Sequence, residues 1–212
     1  MNQSITNYGV DVAITRTDDL DKVMLSEIEH WLAPKILDIG SGAGGQAIRL
    51  AKKGAIVTAV DICDFSKEIS SLMITNSLAS ESITFIQANI IDIISSFETN
   101  GFNAAYLQRM LHYLPYQEAK TVLTELRRIV NGKLYLSITG LHSDIGRDYD
   151  DKNKSITERF CYLSELDSKT FSINQPLCLY TEPEAKELLI ASGWQIEKVW
   201  VSAFGNIKVI CS

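Results

Sequence analysis

None of the four cysteines in this 212-residue chain stands in a C-x-x-C pair; Cys63, Cys161, Cys178 and Cys211 are dispersed. That spacing lacks the usual zinc and dithiol patterns and leaves reduced thiols, so no metal is expected. No apolar run approaches the ~20 residues that cross a bilayer. Met1 to Ser4 show no basic stretch leading into an apolar one, so the expectation is a soluble, unexported, cytoplasmic protein with no membrane partner. Basic residues are in deficit, 20 Lys and Arg against 26 Asp and Glu, a net charge of −6. A broad nucleic-acid-binding face is therefore not expected. Four prolines and twelve glycines are too few to mark a linker, and there is no repeat or low-complexity stretch. Nothing in the composition sets an oligomeric state. What the chain does have is a 46% hydrophobic fraction, enough to fill the core of one α/β domain over residues 1–212.

Residues 36–61 carry the densest information. They read as a strand (Ile36 to Ile39), a glycine turn, a helix with Ala47, Ile48, Leu50 and Ala51 inward and Gly54 at its end, and a second strand (Val57 to Val60) closing on Asp61. A glycine turn lets backbone approach a ligand, and the helix behind it offers free N–H groups to the same space. Asp61 can accept hydrogen bonds from the two hydroxyls of a ribose. Gly40, Gly42 and Gly45 satisfy the dinucleotide pattern G-x-G-x-x-G, which makes an NAD(P)-dependent oxidoreductase one alternative. Asp38 weighs against it. A carboxylate at the end of a buried strand needs hydrogen bonds, and it would repel a pyrophosphate. A cofactor with a cationic amino acid tail and no phosphate suits it better.

This stretch resembles the first motif of class I S-adenosylmethionine-dependent methyltransferases of the small-molecule type, with Asp38 as the acidic residue and Gly40 and Gly42 as the central glycines. The rest of the element order extends the resemblance. An amphipathic helix over 17–32 buries Leu20, Val23, Met24, Ile28, Trp31 and Leu32, is capped by Thr17 or Asp18, and stops at Pro34. A helix over 65–79 follows the second strand, then short strands at Ile83 to Ile86, Phe102 to Leu107 and Lys133 to Ile138. The helix between the last two ends at Asn131-Gly132, which reads as a C-cap. Thr181, Pro183 and Glu184 form a capping-box start to the last helix. Two closely connected strands, Gln195 to Val201 and Ile207 to Cys211, must pair antiparallel. The expected fold is a doubly wound, mostly parallel seven-stranded α/β sheet ending in an antiparallel hairpin, the Rossmann-like methyltransferase architecture. A dinucleotide-binding dehydrogenase normally continues with parallel units instead.

In such a sheet the ligand lies beyond the C-terminal strand ends. The resemblance then implies S-adenosyl-L-methionine as cofactor. Asp38, Gly40, Ser41 and Gly42 would hold its amino acid part, Asp61 its ribose, Ile62 would pack on one face of the adenine, Ile90 would also contact the cofactor, and Gln108 would lie beside the sulfonium. Asn89 stands where the family often has an acidic residue that accepts from the adenine amine; its carbonyl can do the same, or it can simply cap the next helix. Leu111-His-Tyr-Leu resembles the segment of small-molecule methyltransferases after the fourth strand. His112 is a candidate general base, or a packing residue. Arg109 could hold an acidic group of the substrate or pair with a surface carboxylate. Tyr8 could close over the cofactor, and with Arg109 it stands behind His112 as a candidate catalytic group. The chain lacks the Asp/Asn-Pro-Pro-aromatic motif of many nucleic-acid amine methyltransferases, and Cys63 is misplaced for attack on a pyrimidine. The partner implied is a small-molecule acceptor, methylated at oxygen or nitrogen rather than carbon. A catalytically silent cofactor-binding subunit is the other alternative. Residues 140–181 form a connection longer than usual, with a short helix expected around 156–166, and would shape the substrate pocket. Its carboxylates Asp144, Asp148, Asp150 and Asp151 could meet a cationic acceptor or be a solvated surface run.

Overall fold

The computed structural model describes residues 5–6, 8–10, 13, 15 and 17–212; Met1 to Ser4 lie outside the described residues. A small antiparallel ribbon, β1 (Ile5–Thr6) and β2 (Gly9–Val10), precedes α1 (Asp19–Ile28). Asp18, not Thr17, caps that helix: its side chain accepts from Asp21 N and the Asp21 carboxylate accepts from Asp18 N, a reciprocal box. The helix ends four residues earlier than its periodicity predicts. Pro34 disfavours α geometry in the residue before it, Ala33 turns to φ +45°, and Leu32, expected on the buried face, is 100% exposed.

The alternating units follow: β3 (Lys35–Ile39), α2 (Gly45–Lys52), β4 (Ile56–Asp61), α3 (Ser66–Thr75), β5 (Ile83–Gln87), α4 (Ile90–Ile93), β6 (Phe102–Gln108), α5 (Tyr116–Ile129) and β7 (Val130–Thr139). After α6 (Glu165–Phe171) and α7 (Glu182–Ala191) come β8 (Ile196–Val201) and β9 (Asn206–Cys211). The seven-stranded sheet runs β5-β4-β3-β6-β7-β9-β8. Its first five strands are parallel, and β9 lies antiparallel to both β7 and β8. The terminal hairpin is thus inserted with its second strand inside.

Both faces of the sheet are covered, as parallel strands require. Leu37, Ile39, Ala105, Leu107, Leu134 and Leu136 pack beneath α4, α5 and α7. The alternate positions Ile36, Ala104, Tyr106 and Tyr135 pack beneath α1, α2 and α3. Asp38 shares that second face, which places its carboxylate against α1 and α2 rather than in the α5 layer.

Two local expectations are corrected. Asn131-Gly132 is not a helix cap. α5 ends at Ile129, Val130 is already extended, and the pair sits in a bulge where the register slips between Phe102↔Val130 and Ala104↔Lys133. Glycine is needed there because a Cβ would stand 2.2 Å from the Asn103 carbonyl oxygen. The helix expected around 156–166 is also displaced. Ser164 accepts from Asp167 N and starts α6 at Glu165, while the preceding residues pack as loop around Arg159. Arg159 is 5% exposed and donates to the Leu179 and Lys154 carbonyls and, with both terminal nitrogens, to Glu184. Ile145, Tyr149, Leu163, Ile173, Leu177 and Leu179 give residues 140–181 a small core of their own.

Candidate active site

The C-terminal ends of the parallel strands open into a cavity of about 670 Å³, within the ~300–1,000 Å³ range of small-molecule sites. All of Asp38, Gly40, Ser41, Gly42, Asp61, Ile62, Asn89, Ile90, Gln108, Arg109, His112 and Tyr8 line it. The predicted residues are therefore brought together, from four different strand ends and the N-terminal ribbon.

The glycine loop leaves β3 with Gly40 at φ +71°, Gly42 at +53° and Gly44 at +86°. A Cβ on Gly40 would lie 2.7 Å from Met110 Cβ, and one on Gly44 would lie 2.6 Å from Ile69 Cγ1. Gly45, the third member of the dinucleotide pattern, is simply the first residue of α2. The turn that matters is thus 40–44, clamped by Met110 from the β6 side and Ile69 from α3. Gly40 N and Ser41 N donate to Val60 O at 2.8 and 3.2 Å, tying the loop to β4. Asp61 completes it: one carboxylate oxygen accepts from Gly42 N and the other from Cys63 N, each at 2.9 Å. Asn89 is shown as the cap of α4, with Oδ1 accepting from Ile91 N at 3.1 Å; its amide nitrogen keeps its donors.

A network that sequence reasoning missed supports this half. Asp38 is 2% exposed. Beside it on α2, buried Gln46 lines the cavity and accepts from Arg49 Nε, and its own Nε2 has no hydrogen-bond partner among the described residues. Tyr106 donates to Asp21, whose carboxyl is pushed above the usual range by burial. Gln108 Nε2 donates to Asp18 at 2.6 Å, and Asp18 also receives Lys208 Nζ at 2.7 Å. Lys208, on the strand farthest along in sequence, is buried and also pairs with Asp19. The only signal for this was Lys208 in the otherwise apolar run Ile207–Cys211.

His112 is 2% exposed and held twice: its carbonyl accepts from Cys178 N at 2.8 Å and its Nδ1 from Thr139 N at 3.5 Å. With Nδ1 accepting, the neutral ring carries its proton on Nε2. Burial, and then the Arg109 charge, lowers its pKa from 6.5 to about 3. The geometry therefore favours the packing and donor role over the base. Arg109 follows β6 at φ +53°, its N–H bonded to Ser137 O at 2.8 Å. Tyr8 stacks edge-on to Tyr113 with centroids 5.0 Å apart, and Tyr113 Oη donates to Tyr8 O at 2.6 Å. Burial, then Cys63 and Asp61, raises the Tyr8 phenol pKa, so Tyr8 faces the Asp61 loop. Tyr8 also bridges to Ile173, and Gly9 N donates to Ser172 O, joining the ribbon to the 140–181 segment over the cavity.

From that segment Ile145, Phe160, Phe171, Ile173, Gln175 and Pro176 line the cavity. Its carboxylates do not. Asp144 pairs with Arg147 at the surface, and Asp151 pairs with Lys154 and accepts from Phe160 N. The solvated-run reading holds for Asp144, and Asp151 is a structural brace. Among the described residues no group of His, Cys, Asp and Glu could hold a metal ion. No helix among them is long and apolar enough to cross a membrane.

Residues 36–133 match a family model described as a methyltransferase domain. Over that span, just under half of its length, the chain is similar to the methyltransferase-domain family. It is 23% identical over 137 residues, 64% of its length, to an O-methyltransferase of Aspergillus nomiae. It is 29% identical over 133 residues, 58% of its length, to a sterol 24-C-methyltransferase of Gibberella zeae. Those matches span 59% and 34% of the two relatives' own lengths. In fold it superposes on the 1,6-didemethyltoxoflavin-N1-methyltransferase of Burkholderia thailandensis with a TM-score of 0.68 at 16% identity, covering 94% of this chain and 77% of that one. That crystal structure contains S-adenosylhomocysteine and the enzyme's substrate. The match to a methyltransferase domain and the antiparallel β9 leave the oxidoreductase alternative without support.

Proposed function

We propose that this protein transfers a methyl group from S-adenosyl-L-methionine to an oxygen or nitrogen atom of a small-molecule acceptor. The observation that carries the reading is one continuous cavity with an acidic, loop-lined end at Asp38 and Asp61 and a ring-lined end beyond Arg109. The donor set fits the cofactor. Asp38 suits its ammonium and the unpartnered Gln46 amide its carboxylate. Asp61 suits the ribose hydroxyls, Ile62 and Ile90 the adenine faces, and the Asn89 amide a ring nitrogen. Bound there, the cofactor supplies an already activated methyl group.

The protein's part is alignment and exclusion of water. Gln108, fixed by Asp18, sets the floor at the end of β6. Tyr8 closes the cofactor end from above, and residues 140–181 shape the acceptor end. His112 presents Nε2–H to orient the acceptor and does not remove its proton. The three relatives act, by name, at oxygen, carbon and nitrogen, so the acceptor atom rests on the polar character of this wall, with Thr139 and Gln175 on it. Calorimetry with S-adenosylmethionine, S-adenosylhomocysteine and NADH tests the reading. The first two should bind and NADH should not. NADH binding without the others would overturn it. Conversion of bound cofactor to S-adenosylhomocysteine with a mixed metabolite pool separates an enzyme from a silent subunit.

A further inference from the structure

Arg109 is the one Lys or Arg on the cavity wall among the described residues, and no carboxylate of the described residues lies within ion-pairing distance of its guanidinium. Glu118, also on the rim, is exposed and forms no pair with it. The two buried cations among the described residues are paired, Lys208 with Asp18 and Asp19 and Arg159 with Glu184, whereas Arg109 is half-buried. A half-buried cation on the wall of a cavity gains from a counter-charge that a ligand can supply.

Its position is fixed by the backbone. Residue 109 adopts the left-handed conformation, uncommon for a side chain of this size, and such outliers gather at binding sites. Two contacts hold it there: the N–H to Ser137 O at 2.8 Å, and Met110 seated where Gly40 lacks a Cβ. The same glycine that opens the cofactor loop therefore sets the turn that delivers Arg109. Its charge acts on the acceptor space, since it depresses His112 and lowers the Tyr113 phenol against the raising effect of burial. The same cavity is lined by Tyr113, Phe160, Phe171, Ile173 and Phe204. One planar cation on a largely aromatic wall, with Thr139 and Gln175 as its neutral polar groups, matches a ligand with a mostly apolar body and a single carboxylate, which guanidinium binds in a two-pronged geometry.

We propose that the methyl acceptor is a small, mostly apolar carboxylic acid, held by its carboxylate on Arg109. This rests on the methyltransferase reading above and specifies its substrate class. The test uses matched probes on the protein saturated with S-adenosylhomocysteine: benzoate and benzamide, cinnamate and cinnamamide, indole-3-acetate and indole-3-acetamide, titrated calorimetrically. At least one acid should bind ten-fold or more tightly than its amide. Arg109→Gln should reduce that preference below two-fold with S-adenosylhomocysteine affinity unchanged, and Arg109→Lys should recover part of it. The proposal is overturned if amides bind as well as acids, if no acid binds, if the preference survives in Arg109→Gln, or if that variant loses S-adenosylhomocysteine affinity. Failure of the wild-type protein to bind S-adenosylhomocysteine would instead sink the methyltransferase reading; binding without an acid preference removes only the assignment to Arg109.

Discussion

At the Asp38 end of the cavity the lining comes from three short loops after adjacent strands, residues 38–46, 60–65 and 88–90, whereas the far end is assembled from residues 109–118, 139–145, 160, 170–176 and 204, with Tyr8 and Gly9 reaching from one to the other. The near end works largely through backbone and short side chains. Its glycines permit close approach, and Asp61 is held by two backbone N–H groups of its own loops. The far end works through rings and one cation, brought together by long-range contacts such as Tyr8 to Ile173 and Phe171 to Phe204, centroids 6.5 Å apart. A motif local in sequence builds a site for a ligand part common to many enzymes. A wall pooled from distant segments can vary without disturbing it.

The largest effect that separates the two ends should come from Arg159→Ala. It leaves Glu184 without its partner and frees the Leu179 and Lys154 carbonyls. Removing one member of a buried pair costs about 3–5 kcal/mol, and the lower figure applies because Glu184 is 22% exposed. Urea unfolding should show this loss, while S-adenosylhomocysteine affinity of the folded variant stays within two-fold (roughly 0.4 kcal/mol). A matching loss of cofactor affinity would show that the two ends are not independent.

Asp61→Ala is the reciprocal test. It should weaken the cofactor by about 1.5–3 kcal/mol, the scale of charge-assisted hydrogen bonds, without comparable loss of acceptor affinity. Unchanged cofactor binding would place the ribose elsewhere.

His112 sits at the junction. Its pKa falls from 6.5 to about 3 on folding, so the unfolded chain binds the extra proton between those values. The contribution to stability is complete above pH 6.5 and is lost as the pH drops toward 3. The acid limb should therefore slope by up to about 1.4 kcal/mol per pH unit more than in His112→Asn, which keeps an acceptor for Thr139 N. Equal slopes would mean that the ring is solvated. Turnover of this variant should fall less than about ten-fold and show no new limb near neutrality; a loss of ~10²–10⁴ would restore the general base.

The smallest effect belongs to the surface carboxylates. Asp144→Asn removes only an exposed pair with Arg147 and should change stability by less than about 0.5 kcal/mol and leave acceptor affinity alone. A drop in affinity for acceptor would bring the 140–181 carboxylates back into the site.

Much of the architecture was legible because its causes are local. The β3–α2–β4 unit, the Thr181 capping box and the short 202–205 connection each declare themselves in a few consecutive residues, and the antiparallel β9 follows from the last. Asp38, Gly40, Gly42 and Asp61 were readable for the same reason. What local pattern decided wrongly was whatever depended on distant partners. Asn131-Gly132 looks like a helix cap until Asn103 is seen across the strand, and the periodicity of α1 runs on to Leu32 although the chain must turn to enter the sheet.

By itself the sequence determined the Asp38 end of the cavity, because glycine conformations, strand-end carboxylates and helix starts act within a few residues of where they are written. Only the tertiary structure decided that Asp18 and Lys208 hold Gln108, that Thr139 occupies the acceptor nitrogen of His112, and that Arg109 stands without a carboxylate on a cavity wall with rings from four separate segments. Those facts depend on burial and on which groups meet across the fold, and no window of consecutive residues contains them.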